Sequence, residues 1–122
     1  MSITSEFCII SKGKMEFIYQ KKKIPLTEIV MLEAEANYTY LHLLNGKKVL
    51  ISRTMKLFDD LLKDYPFTRI HRSFIVNESH LKSYDADKEC IMLSNNMKAT
   101  ISRRKKRTLK NTADFKKILW EN

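Results

Sequence analysis

The sequence predicts a mostly β single domain with one short internal helix and a C-terminal helix. Three observations carry that prediction. Tyr38, Tyr40 and His42 alternate with Thr39, Leu41 and Leu43, the period of two that suits a half-buried strand. Asn45-Gly46 follows at once, a hairpin signal because both residues tolerate the positive φ of a tight primed turn. Further on, Leu57, Phe58, Leu61 and Leu62 recur at helical spacing behind Thr54, which can serve as an N-cap.

The remaining elements read in order along the chain. Phe7 to Ile10 and Met15 to Tyr19 form two strands about a turn supplied by Gly13. Ile29 to Ala34 is an apolar strand, Tyr38 to Leu43 the next, and Lys47 to Ser52 its return. The helix runs from Met55 to the neighbourhood of Lys63 and stops at Tyr65-Pro66, since a residue before proline is pushed out of helical geometry. Phe67 to Ile70 reads as a short strand, and Arg72 to Lys82 as a turn-rich connection anchored by Phe74, Ile75 and Val76. Strands at Leu81 to Tyr84, Glu89 to Leu93 and Lys98 to Ile101 follow, with Asn95-Asn96 as the last hairpin turn. A single final helix is capped by Ser102 and turns Leu109, Ala113, Ile118 and Leu119 to the core.

Composition narrows the class. A chain of 122 residues falls in the single-domain range, so the domain is read as residues 1–122. Its 43% hydrophobic content suits a packed core, and two Gly with two Pro argue against long linkers. Cys8 and Cys90 lie far apart with no CxxC spacing, which suggests neither a disulfide framework nor a zinc site and fits a reducing, cytoplasmic setting. Neither a leader pattern at Met1 to Phe7 nor an apolar run of about 18 residues is present, so no membrane segment is expected.

The charge balance is the first functional signal. A net charge of +9 on a small domain attracts polyanions, nucleic acid or an anionic membrane surface. Arg103 to Arg107 places five consecutive cations at the start of the final helix, where the helix dipole already contributes positive charge. An anion docked there would offset the repulsion; a plain solvated basic helix end is the simpler reading.

Catalytic chemistry finds poor candidates. Asp59 and Asp60 are adjacent on a helix and diverge, and Glu33 with Glu35 share a strand face without an acid/base or metal partner. His42, His71 and His80 with Cys90 match no standard ligand spacing, and with Gly13 and Gly46 as the only glycines no phosphate loop exists. No enzyme and no cofactor are expected. A metal-dependent nuclease around Glu33, Glu35 and His42 is the weakest reading, and an RNA-binding β domain stacking bases on Tyr38 and Tyr40 is the competing binding module.

The string Phe67-Thr-Arg-Ile-His71-Arg72-Ser73-Phe-Ile-Val-Asn77 interleaves Arg69, His71 and Arg72 with apolar residues, the pattern of a polar loop held by buried anchors. Only an anchored side chain can donate paired hydrogen bonds to a base edge rather than wander along phosphates. On residue type alone Arg72 fits a contact or a structural role, whereas His71 and Asn77 fit structural ones.

Several ordered motifs now resemble one family, the LytTR-type DNA-binding domain of bacterial transcription regulators. They are Ile24-Pro25-Leu26 with Glu28-Ile29 and Leu32-Glu33-Ala34, Asn37-Tyr38, Ile51-Ser52-Arg53-Thr54 with Leu57, His71 to Asn77, and Ile101-Ser102-Arg103-Arg104. The resemblance implies elongated, packed antiparallel sheets whose loops enter successive major grooves of duplex promoter DNA. It assigns base contacts to Asn37, Arg72 and Arg103 and phosphate contacts to Ser73, Arg104 and Lys106. The residue types suit those roles, because Arg can pair with guanine O6 and N7 and Asn with adenine, while Arg104 and Lys106 can neutralise phosphates. Asn37 equally fits an ordinary turn at a strand edge. Within these 122 residues the sequence departs from many family members in leaving no room for a receiver module. Two copies on adjacent repeats is a further arrangement that the resemblance allows.

Overall fold

The computed structural model describes residues 8–11, 14–19, 22–109 and 112–119. Phe7 and the Gly13 turn lie outside them. The order is β1 (Cys8–Ser11), β2 (Lys14–Tyr19), β3 (Lys22–Pro25), a 3-10 turn at Leu26–Glu28, β4 (Ile29–Glu35), β5 (Tyr38–Leu43) and β6 (Lys48–Ile51). Helix α1 (Met55–Leu62) leads to β7 (Phe67–His71), β8 (Phe74–Asn77), β9 (Leu81–Asp85), β10 (Cys90–Leu93) and β11 (Lys98–Thr100), and the chain continues in α2 (Arg103–Leu109) and α3 (Ala113–Leu119). The fold is mostly β, as expected from sequence.

A five-stranded antiparallel sheet in the order β6-β5-β4-β8-β7 forms the middle layer. The sheet β1-β2-β3 and helix α1 belong to one side of it, and the sheet β11-β10-β9 with α3 to the other. Central strand β4 therefore buries both faces, which is why Ile29 to Leu32 is a continuous buried run rather than an alternating one. Ile29 and Leu32 join Phe17, Leu41, Ile51, Phe58 and Leu62 in the first core. Val30 and Met31 join Ile70, Val76, Ile91, Leu93 and Phe115 in the second. Phe17 meets Phe58 edge to face, ring centres 5.6 Å apart, an arrangement favoured by the ring quadrupoles.

Three local expectations are corrected and one strand is added. The stretch read as a connection from Arg72 to Lys82 contains β8, an interior strand: Ile75 fills one core and Val76 the other. Lys22–Pro25, where only the family resemblance places a strand residue, at Ile24-Pro25, pairs with β2, and Ile24 is buried. The final helix is two helices, since Thr112 donates its amide to Leu109 O at 3.0 Å and restarts the chain by accepting Lys116 N at 2.7 Å. Finally, the Asn45-Gly46 turn is not the primed form: Gly46 alone takes positive φ, at 90°, and its amide donates to Leu43 O at 3.0 Å. Two positive-φ residues in succession occur instead at Asn95 and Asn96, closing β10 to β11.

Thr54 at the start of α1 makes no side-chain cap bond, whereas the Ser102 hydroxyl accepts Lys105 N at 3.2 Å as a cap should. No helix is long and apolar enough to cross a membrane among the described residues.

Candidate nucleic-acid interface

Two tight turns share one end of the central sheet. Ala36-Asn37 joins β4 to β5, with Glu35 opposite Tyr38. Arg72-Ser73 joins β7 to β8, and Phe74 lies opposite Glu33 on β4. Ala36 takes φ of 55°, a conformation costing a residue with a Cβ about 1–2 kcal/mol, and Asn37 follows it exposed at the tip.

A third segment reaches the same end. Ser102 donates its amide to Ile70 O at 2.9 Å, and its own carbonyl accepts Lys106 N at 2.9 Å. The start of α2 is thereby bonded to β7, the edge strand. Arg103 and Arg104 are exposed there. Between the β7–β8 turn and α2 lies a concavity of about 420 Å³ lined by Arg69, His71, Arg72, Ser102, Arg104 and Lys105. Cations gathered in one concave surface focus a field that draws anions.

The turn that carries Arg72 is held from several directions. Register shifts between Arg69 and His71, a bulge of the kind that re-aims side chains. Arg69 donates through Nη1 to Asp59 Oδ2 on α1, through Nε to His71 O at 3.3 Å and through Nη2 to Arg72 O. His71 Nδ1 accepts the Ser73 amide at 3.1 Å while its ring packs on Phe74 at 5.6 Å. Arg72 itself is exposed.

A model of the LytTr DNA-binding domain family matches residues 19–114. The chain belongs to the LytTR family of DNA-binding domains. A solved structure, the LytTr DNA-binding domain of a putative methyl-accepting/DNA response regulator from Bacillus cereus, is similar over 85% of this chain and 91% of its own, with 23% identity and a TM-score of 0.65. At that identity the likeness speaks for the shared fold. The comparison with curated proteins found no match.

Of the residues singled out from sequence, this LytTR domain brings Arg72 and Arg104 to one concavity, with Ser73 beside it and Asn37 at the neighbouring tip. Arg103 is exposed on α2. Lys106 is set apart, with its ammonium 4.7 Å from the centre of the Tyr84 ring. Sequence reading assigned no individual contact to Arg69 or Lys105 and no role to Asp59. Nothing local could have supplied one for Asp59, because its partner is on another element.

The rival readings fare less well. Tyr40 is covered by Lys48 Nζ at 4.6 Å and lies beside His42, which leaves Tyr38 as the exposed aromatic of that strand face. The RNA-binding alternative finds no support. All three histidines hold structural bonds: His42 with Glu33 at 2.8 Å, His71 with Ser73, and His80 with Thr27 O and Ser94 Oγ. Glu33 is thus tied to His42, and no cluster of metal-ligating side chains occurs among the described residues.

Proposed function

We propose that this LytTR domain binds duplex promoter DNA sequence-selectively through loops in successive major grooves and so regulates transcription. Asn37, Arg72 and Arg103 read base edges; Ser73, Arg104 and, from its seat over Tyr84, Lys106 hold phosphates. The observation that carries the reading is the fixed frame of the Arg72 turn, since a guanidinium whose backbone is held can meet guanine O6 and N7 as a pair. Three segments at one end of the sheet, with Asn37, Arg72 and Arg103 exposed on them, support that groove geometry.

Selection of bound sequences from a random duplex pool tests it. A consensus is expected, and its form as one half-site or two tells whether one copy or a pair occupies it. Arg72→Ala should then cost about 1–3 kcal/mol on the preferred site and much less once the base pair it reads is exchanged. A pool enriched without any consensus would reduce the domain to a nonspecific basic binder.

A further inference from the structure

Arg69 lines the basic concavity, yet its donors face inward. Nη1 is bound to Asp59, Nε to the carbonyl of His71 and Nη2 to the carbonyl of Arg72. One planar fork therefore joins helix α1 to two consecutive carbonyls of the turn. The Arg72 carbonyl sits on the same Cα from which the Arg72 side chain departs, so holding it sets the direction in which that side chain leaves the sheet. Pairing with Asp59 also neutralises Arg69, so that the outward charge of the concavity comes from Arg72, Arg104 and Lys105.

We infer that Arg69 is a positioning residue for base recognition: it aims Arg72 without touching DNA, and Asp59 fixes its angle. The inference rests on the proposal that Arg72 reads a base. Stability alone does not explain the arrangement. The Arg69 and Asp59 side chains are 29% and 38% exposed, and ion pairs so open to water contribute little to folding. A lysine would keep the charge and lose the fork, because a single ammonium cannot reach three acceptors in one plane.

Fluorescence anisotropy with two duplexes tests the inference, one carrying the selected consensus and one with the Arg72 base pair exchanged. The ratio of the two Kd values is the discrimination. Arg69→Lys should lower discrimination about ten-fold, the loss expected when a bidentate base contact is misaligned. It should leave binding to the exchanged duplex and the salt slope nearly unchanged. Asp59→Ala should lower discrimination less, and Arg69→Lys added to Arg72→Ala should lower it no further. Equal weakening on both duplexes would overturn the inference, making Arg69 a structural or phosphate-contacting residue. If Arg72→Ala itself keeps full discrimination, base reading by Arg72 fails. If Arg72→Ala loses discrimination while Arg69→Lys keeps it, only the positioning role fails. Should circular dichroism show Arg69→Lys unfolded, Asp59→Ala decides alone, and unchanged discrimination there overturns the inference.

Discussion

The amide of Ala34 donates to the carbonyl of Ser73 at 2.9 Å, one step past the last paired residues of β4 and β8, Glu33 and Phe74. That bond splices two hairpin tips, so the exposed Asn37 and the exposed Arg72 ride on one frame. The frame carries strain at Ala36, whose φ is 55°. Ala36→Gly should stabilise the fold by about 0.5–1 kcal/mol, the left-handed penalty removed less the added chain entropy of glycine. Denaturant midpoints check it. A loss of stability would mean that the alanine methyl contributes packing worth more than the strain.

The first core makes a contrast within one helix. Phe58 is fully buried against Phe17, whereas Leu61 is only partly buried beside the core. Phe58→Ala should cost about 3–5 kcal/mol, and Leu61→Ala nearer about 1 kcal/mol, as for a side chain that water already reaches. Urea melts of the two variants give the comparison directly; equal costs would contradict the packing of α1.

Helix α1 and the β4–β5–β6 meander were legible because their patterns are local. Leu41 and Leu43 face in where the alternation puts them, and Met55, Phe58 and Leu62 share a helical face. Strand β8 was not legible: a run of three apolar residues between Arg72-Ser73 and Asn77-Glu78 looks like a loop anchor, and only pairing with β4 makes it an interior strand. Strand β3 is short and carries three charges or prolines for one buried Ile24, so what makes it a strand is its pairing with β2. At the candidate interface, the family resemblance singled out Arg72 and Arg104, and both are exposed. It could not foresee Lys106 over Tyr84 or the fork of Arg69, since both depend on which elements pack together.

The same placement sets the salt response. Arg104 is exposed on the concavity and Lys106 is half-buried near Tyr84. Log K should fall by about 0.9 per neutralised phosphate for each unit of log salt, so Arg104→Ala should flatten the slope by about one unit and weaken all sequences alike. Lys106→Ala should flatten it less. Anisotropy titrations across a salt series provide the slopes, and a loss confined to one sequence would make Arg104 a base reader.

Glu78 introduces a pH dependence unrelated to DNA. Burial pushes its carboxyl above the ordinary carboxylate range, the hydroxyl of Thr68 that donates to it opposes the shift, and Asp114 on α3 adds to it. Because the folded-state value is raised, the stabilising contribution is complete below the unfolded-state value and fades as pH rises through the folded one. Glu78→Gln keeps an acceptor for Thr68 and removes the charge. The variant should therefore be the more stable protein at neutral pH, and its denaturant midpoint should vary less than that of the wild type between about pH 4 and about pH 8. Parallel pH profiles for the two proteins would show that Glu78 is not the titrating group.

Asn77 is a structural member of the string His71 to Asn77, in which base reading is proposed for Arg72. The residue is 2% exposed. It donates to Leu26 O at 3.2 Å and to Ile29 O at 2.9 Å, and accepts Ser79 N at 2.9 Å. The amide thus staples β8 to the bend where β3 gives way to β4, adding to the backbone bond from Ile29 N to Leu26 O. Asn77→Ala takes the side-chain partner from Ile29 O and from the Ser79 amide, while Leu26 O keeps the Ile29 amide; since each unsatisfied buried group costs about 1–3 kcal/mol, a total loss of about 2–4 kcal/mol is expected. Asn77→Asp should be at least as damaging near neutral pH, because it turns a donor into a buried charge facing two carbonyl oxygens. Neither variant, measured at a temperature where it remains folded, should change discrimination between the selected duplex and its exchanged counterpart. Arg72→Ala should show the converse, with full stability and lost discrimination. A folded Asn77→Ala protein with altered base preference would place this residue, rather than the Arg72 turn alone, in the reading of sequence.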